Sequence, residues 1–563
     1  MKTFFKYLFT TLGLLLLLLI TFLIYFRVAV VIRPPKPENL EILEQERLAL
    51  DSNFYAVGNN WLRKSESGLW EMYVEGEAFE RGAMKGILAK DLIYRQEKAF
   101  INEIKRMIPS EFYLRFLKYF IAWYNKDMVN HISKEYQLEI YGVSKAASEE
   151  FAFIGPPYLR FLNYHAAHDI GHTLQSLGMV GCTSFATWGK KSKDSLLIVG
   201  RNFDFYVGDE FSKEKIVAFY APDSGYKFMS VTWGGMIGVV SGMNEKGLSV
   251  TINAGASGIP LNVKTPVSIL AREILQYAEN IEEAYKIAGS RETFVAEAFL
   301  IASAQDNKAV IIEKGLQEMA LYAVDDRTQI ICTNHFLSET FAEEQQNMMA
   351  ISHSSSPYRY KRVKELIDEK MPLDHLKTAT ILRDQKGIAG ADIGMGNEKA
   401  INQLIAHHSV IFIPEKRLVW VSTQPYQLGK YVAYDLNKIF DNYRGLDEHI
   451  EIYSKELEIP ADSFLFSGQF QKFQTFRELK NIIINKTPDR KTDNVDDSLV
   501  RDLIASNPMY FLSYSLAGDY YKSKKQYAQA AAFYEQALKK EITTYQDKKH
   551  IKENLRICRE KAH

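Results

Sequence analysis

The hydropathy pattern opens on an uncharged run from Leu8 to Phe26, pure leucine from Leu14 to Leu19, with Lys2 and Lys6 before it. At about 1.5 Å per helical residue, a run of that length just spans a hydrocarbon core of about 30 Å. A cleaved secretory signal has a shorter apolar stretch and a small-x-small site after it. Here the run closes on Tyr25-Phe26-Arg27, and no cysteine lies nearby to accept a lipid. The expectation is an uncleaved single-pass signal anchor crossing the membrane through residues 8–26. Lys2 and Lys6 favour a cytoplasmic N-terminus, while Arg27, Arg33 and Lys36 oppose it. The orientation expected is a short tail inside and the main body outside the cytoplasm, periplasmic or otherwise extracytoplasmic. Pro34-Pro35-Lys36-Pro37 then makes a stiff spacer, so residues 1–37 read as anchor and spacer.

From 38 to 181 apolar residues recur at helical spacing, through Glu80-Arg81-Gly82, Lys90-Asp91-Leu92-Ile93, Glu103 to Met107 and Tyr113 to Tyr124. This segment is expected to be mostly helical. The pattern changes at Cys182. Strands are predicted at 195–200, 231–233, 248–252 and 310–312, with helices near Ser268 to Tyr277 and Ile281 to Ala288 between them. A last strand pair, 408–412 and 417–421, turns at Pro414-Glu415-Lys416. Residues 182–444 therefore read as one α+β body. Residues 445–500, with the charged stretch Asn485-Lys486-Thr487-Pro488-Asp489-Arg490, read as a linker region. In the tail, 501–563, Tyr514, Ala517, Gly518, Tyr521, Ala530, Tyr534 and Ala537 resemble a tetratricopeptide repeat, small residues standing where two helices touch. The alternative is an ordinary helical hairpin. A single repeat makes no solenoid, so the tail is expected to dock on the body or on a protein partner.

Composition narrows the function. The chain has 563 residues, enough for several domains, with 47% hydrophobic and 25% charged residues, as in an ordinary folded protein. Lys plus Arg and Asp plus Glu each total 69, and a zero net charge argues against nucleic-acid binding. The three cysteines, Cys182, Cys332 and Cys558, make neither a disulfide framework nor a CxxC pair. They point to an individual reactive thiol or to buried packing cysteines. No cofactor is implied.

The motifs that carry chemistry begin at Gly181-Cys182-Thr183-Ser184-Phe185, followed by Gly200-Arg201-Asn202-Phe203-Asp204-Phe205. Gly242 to Asn253 reads as a turn and a strand, and Thr333-Asn334-His335-Phe336 and Ser354-Ser355-Ser356-Pro357-Tyr358-Arg359-Tyr360-Lys361-Arg362 come later. In this order the motifs resemble the acyl-CoA:6-aminopenicillanic acid acyltransferase family of N-terminal-nucleophile hydrolases (peptidase family C45). More distantly they are similar to the choloylglycine hydrolase and penicillin V acylase family. The resemblance covers roughly residues 76–434. It implies a four-layer αββα sandwich with Cys182 as nucleophile, Arg201 and Asp204 beside it, Asn253 and Asn334 as oxyanion residues and Arg359 as the last catalytic arginine. Arg362 lies three positions on along the same helical face. The long segment before Cys182 fits the acyltransferase branch, in which one precursor yields two chains.

The chemistry can be argued from the residue types. A cysteine at a chain N-terminus carries its own base, an α-amine of pKa about 7.7–8.0. Making that amine requires cleavage between Gly181 and Cys182, where glycine tolerates the strained backbone that lets the thiol reach its carbonyl. Asn253 and Asn334 amides can donate to a tetrahedral oxyanion, Asp204 can hold the amine, and Arg201 and Arg359 are expected to lower the thiol pKa. The expected function is a self-processing amidohydrolase or acyltransferase acting on a small-molecule N-acyl amide or thioester. Two alternatives stand beside it. His165, His168 and His172 share one helical face at a spacing that can bind zinc, which would make a metal-dependent hydrolase; the other reading of that helix is packing against the body. The second alternative is a non-catalytic membrane scaffold acting through the tail.

Overall fold

The computed structural model describes residues 2–29, 31–108, 110–166, 169, 181–258, 262–324, 328–486 and 496–562. Numbered along the chain, the strands are β1 (Leu48–Asp51), β2 (Phe54–Val57), β3 (Asn60–Lys64), β4 (Trp70–Gly76), β5 (Thr183–Thr187), β6 (Ile198–Phe203), β7 (Ile216–Pro222), β8 (Phe228–Thr232) and β9 (Ser241–Asn244). They continue as β10 (Leu248–Ala254), β11 (Glu297–Ser303), β12 (Lys308–Lys314), β13 (Met319–Tyr322), β14 (Gln329–Cys332), β15 (His408–Ile413), β16 (Leu418–Ser422), β17 (Tyr431–Asp435) and β18 (Ser454–Ile459). Two sheets result. One has 11 strands in the order β1-β2-β3-β4-β7-β8-β9-β10-β11-β12-β13, and the other has 7, in the order β14-β5-β6-β15-β16-β17-β18. Neighbours are antiparallel except β4 and β7, which run parallel.

Side-chain alternation shows how the sheets stack. In β7, Ile216, Ala218 and Tyr220 enter one core while Val217, Phe219 and Ala221 enter another, the period of two that a strand imposes. In β15, Val410 and Phe412 join that second core from the opposite sheet, while Ile411 and Ile413 turn away from it. The two sheets therefore share one central core. The outer face of the larger sheet is covered by helices Ala78–Leu88, Lys90–Met107, Lys134–Ser144, Pro157–His165 and Val267–Tyr277. Helices Ser356–Lys370 and His375–Leu382 cover the smaller. This is the expected αββα layering. Burial on both faces explains why the strands read as continuous apolar runs rather than alternating ones.

Two expectations need correction. The segment 38–181 is not mostly helical at its start, because β1 to β4 lie there and β4 pairs with β7 along its whole length. Short aromatic and β-branched runs such as Trp61-Leu62 and Trp70 to Val74, separated by turns at Gly58 and Gly68, form these strands. Residues 445–500 are not merely a linker: β18 adds a charged edge strand to the smaller sheet, and Gly468–Lys486 is a helix.

The tail forms helices Asp497–Ser506, Phe511–Ser523, Tyr527–Leu538 and Tyr545–Lys561. A Cβ on Gly518 would lie 2.6 Å from the Tyr534 ring, so this glycine permits the close helix contact. The tail docks on the body. Tyr510, Phe511 and Tyr520 share a core with Leu404, Tyr426, Leu428 and Phe473, and Asn507 Nδ2 donates to the Met395 carbonyl at 2.8 Å. At the other terminus, Lys2–Ala29 is a helix whose side chains are described continuously only over 9–22. Among the described residues, no helix is long and apolar enough to cross a membrane.

Candidate active site

Cys182 immediately precedes β5, whose partner β6 sets Ser184 opposite Arg201. That register carries Arg201 back to the thiol, and its Nη2 donates to Cys182 Sγ at 3.7 Å. Arg201 is held by further bonds to Ser241 Oγ and the Ile252 carbonyl, with its guanidinium 4.4 Å from the Phe203 ring centroid. Asp204 follows directly on β6, and its carbonyl accepts the Gly181 N–H at 3.0 Å.

The opposite sheet supplies Asn253 from β10. Its Oδ1 accepts Ser184 Oγ at 2.7 Å and its Nδ2 donates to the Cys332 carbonyl at 3.0 Å. Asn334 follows β14, which pairs Cys332 with Ser184. Its backbone N–H donates to Ser356 Oγ at 2.7 Å and its Nδ2 to the Ala254 carbonyl at 3.2 Å. Arg359, on helix Ser356–Lys370, ties these pieces together. Its Nη1 donates to the carbonyls of Gly181 and Cys182, both at 2.6 Å, and to Thr183 Oγ1 at 3.0 Å, while Nη2 donates to Asn334 Oδ1 at 2.8 Å. The structure thus brings Cys182, Arg201, Asp204, Asn253, Asn334 and Arg359 to one place between the sheets. Arg362 is elsewhere, paired with Asp384 at 2.9 Å.

Burial dominates the electrostatics. The Cys182 thiol is pushed up to about 11 by desolvation, with Arg201 opposing and Asp204 and Glu297 adding to the rise. Arg201 pulls the thiol down in the expected direction, but in the intact chain removal from water outweighs one guanidinium. The Asp204 carboxyl rises to about 7, again through burial, with Arg359 and Arg201 opposing. Neither of its oxygens has a hydrogen-bond partner among the described residues.

The zinc expectation does not hold for His165. Its Nδ1 pairs with the Phe161 carbonyl at 2.7 Å and its Nε2 accepts the Ile237 N–H at 2.9 Å, so both ring nitrogens are occupied. His168 and His172 lie outside the described residues, among which no cluster suited to a metal occurs. Cys332 packs in the central core. Asn244 serves its turn, accepting the Lys246 and Leu248 N–H groups.

Sequence reasoning missed Gln403. Its Nε2 donates to the Gly181 carbonyl at 2.6 Å. It also explains the glycine, since a Cβ at 181 would lie 2.7 Å from Gln403 Nε2 and Oε1. Gly181 is not among the positive-φ residues; close approach, not backbone strain, is what requires glycine there. Nothing near Gln403 in the sequence signals this role.

With this geometry in place, the comparisons agree with the motifs. Residues 188–410 match the family model of acyl-coenzyme A:6-aminopenicillanic acid acyl-transferase. The resemblance to that family is borne out over that span, which holds Arg201, Asp204, Asn253, Asn334 and Arg359 and begins just after Cys182. A protein of Archaeoglobus fulgidus described as uncharacterized is 20% identical over 351 residues, 59% of this chain and 57% of that one. The N-acylethanolamine-hydrolyzing acid amidase of Caenorhabditis elegans is 24% identical over 224 residues, 38% of this chain. The chain spans less than three fifths of the length of these curated relatives, 57% and 59% respectively. Among solved structures, the C. elegans amidase ortholog aligns at 17% identity over 42% of this chain and 93% of that one, with a TM-score of 0.31. A mutant of the conjugated bile acid hydrolase of Clostridium perfringens aligns at 14% identity over 49% and 96%, also with a TM-score of 0.31.

Proposed function

We propose that this chain is a self-processing cysteine amidohydrolase of the N-terminal-nucleophile type, releasing an acyl group from a small-molecule N-acyl amide through a thioester on Cys182. One observation carries the reading: Arg201 and Asp204, from β6 and the residue after it, and Arg359, from helix Ser356–Lys370, converge on Cys182 and the peptide bond before it. Cleavage there exposes an α-amine suited to take the thiol proton near neutral pH. The unpartnered Asp204 carboxylate would hold that amine. Asn253 and Asn334 each spend one amide N–H on a backbone carbonyl, which leaves the second of each for a substrate oxyanion.

We assign hydrolysis rather than transfer, because water outcompetes most acceptors unless a dedicated acceptor site excludes it. An aromatic cavity lined by Phe100, Phe161, Phe205, Phe211 and Trp233 supports an apolar acyl group; Phe205 adjoins Asp204 in the chain. We further propose that residues 8–26 anchor the chain in a membrane with the body outside the cytoplasm. The leucines from Leu14 to Leu19 are each more than half exposed, so the chain itself does not cover them. We assign the tail to the body it packs against rather than to a separate partner.

Intact mass and N-terminal sequencing, wild type beside Cys182→Ala, test the reading. The expected result is a second N-terminus at Cys182 in the wild type and a single chain in the variant. The processed protein should then liberate free carboxylic acid from a long-chain N-acyl amide. An uncut chain in both preparations overturns the proposal.

A further inference from the structure

The carbonyl of Gly181 is the bond dipole that must become an oxyanion if Cys182 attacks it, and two donors already point at it. Arg359 Nη1 and Gln403 Nε2 each lie 2.6 Å from that oxygen, just below the usual range for N–H donors. The Gly181 N–H is fixed in turn by the Asp204 carbonyl. The two asparagine amides are aimed elsewhere, at Cys332 and Ala254. From this we infer that Gln403 is a catalytic residue of self-cleavage, forming with Arg359 an oxyanion site for the Gly181 carbonyl that is separate from the Asn253 and Asn334 amides. The inference rests on the self-processing reading above.

Gln403 is set rigidly for this task. It is buried. The residue before it, Asn402, donates its N–H to the Asp384 carbonyl at 2.8 Å and accepts the Leu404 N–H on Oδ1 at 2.9 Å. Leu404 sits in the left-handed region at φ 55° and is clamped in the core shared with the tail. A non-glycine residue is strained there, so the surrounding packing over-determines the turn that aims Gln403. Preorganised donors of this kind stabilise a developing charge without reorganising when it forms.

The step balances as follows. Cys182 Sγ gives its proton to the Asp204 carboxylate and bonds to the Gly181 carbonyl carbon, while the carbonyl π pair moves to oxygen between Arg359 and Gln403. The pair returns, the C–N bond breaks, and the proton held by Asp204 passes to the Cys182 nitrogen. A Gly181 thioester and a free α-amine result. Water then adds at the same carbonyl and the C–S bond breaks; one of its protons restores the thiol, the other passes to the Cys182 α-amine, and Gly181 leaves as a carboxylate.

The test follows the appearance of the Cys182 N-terminus with time in freshly synthesised full-length chain. Wild type is set beside Gln403→Met, which keeps length and removes the donor, and Gln403→Glu. Loss of one oxyanion donor slows such a step by about 100-fold or more. Gln403→Met is expected to show that loss while unfolding within a few degrees of the uncleavable Cys182→Ala chain. Gln403→Glu regains a donor when protonated, so its rate relative to wild type at the same pH should rise as pH falls. Cleavage of Gln403→Met at the wild-type rate overturns the role of Gln403 and leaves self-processing intact. So does slow cleavage accompanied by collapsed thermal stability and no relative recovery of Gln403→Glu in acid, which marks a merely structural glutamine. A wild type that never cleaves removes the self-processing reading and this inference together.

Discussion

Asp204 and Cys182 set the pH behaviour of the site. At neutral pH the buried thiol, at about 11, stays protonated and needs an acceptor, and the Asp204 carboxyl, at about 7, is its neighbour. A carboxyl accepts a proton only when ionised, so self-cleavage should rise with pH through about 7 and level off above it. Asp204→Asn should be slow at every pH and lose that inflection, as a pH series of cleavage rates would reveal. Asp204 also bears on stability. Its folded pKa lies above the ordinary carboxylate value of about 3.9, so the folded chain binds the proton more tightly than the unfolded one. Its contribution therefore favours folding below about pH 4 and weakens as pH rises towards 7. Denaturation of Cys182→Ala with and without Asp204→Asn should show the double variant losing less stability across that window. Arg362 offers the contrasting case. It bonds Asp384 and Glu365 and touches none of the site residues. Arg362→Ala should cost about 2 kcal/mol by leaving partly buried acceptors unpaired, with cleavage and amide turnover within about twofold of wild type. Motif order alone placed both arginines on one helical face; only the helix packing separates their roles.

At the scale of elements, the consequence of β1 to β4 is that the segment before Cys182 is part of the sheet. After cleavage it would still hold four strands, with β4 bonded along β7 and Met72 and Val74 in the outer core. Residues 1–181 and 182–563 should therefore co-elute in size-exclusion chromatography of the processed protein and separate only in denaturant. Elution as two species under native conditions would contradict this. The body's elements were largely legible. The pair β15 and β16 and the helices Val267–Tyr277 and Ile281–Gly289 fall where hydropathy predicts them, because long apolar runs with turn residues between them admit few other structures. The short strands β1 to β4 and β18 were not. A four- to seven-residue strand next to long helices carries too little periodicity, and its partner lies far along the chain.

For the whole molecule, the tail braces the α+β body. Leu404, next to Gln403, is buried against tail residues, and Asn397 Nδ2 reaches the Glu541 carbonyl at 3.1 Å. Removing residues 497–562 should expose Leu404, Leu428 and Phe473, lower the thermal midpoint and slow cleavage. An unchanged midpoint would show that the tail is an independent unit. The amino-acid sequence by itself determined the order of the motifs and the α+β body, and raised the expectations of a reactive thiol and of an anchor, since these depend on residue type and local spacing. Tertiary structure alone decided the rest. It set Arg359 on the Gly181 and Cys182 carbonyls and Arg362 on Asp384, spent both nitrogens of His165 on backbone groups, built the segment before Cys182 into the larger sheet, and brought Gln403 to the Gly181 carbonyl. Each of these depends on which distant groups share a buried volume, where a donor's partner and the loss of water set its chemistry, and no local pattern encodes that.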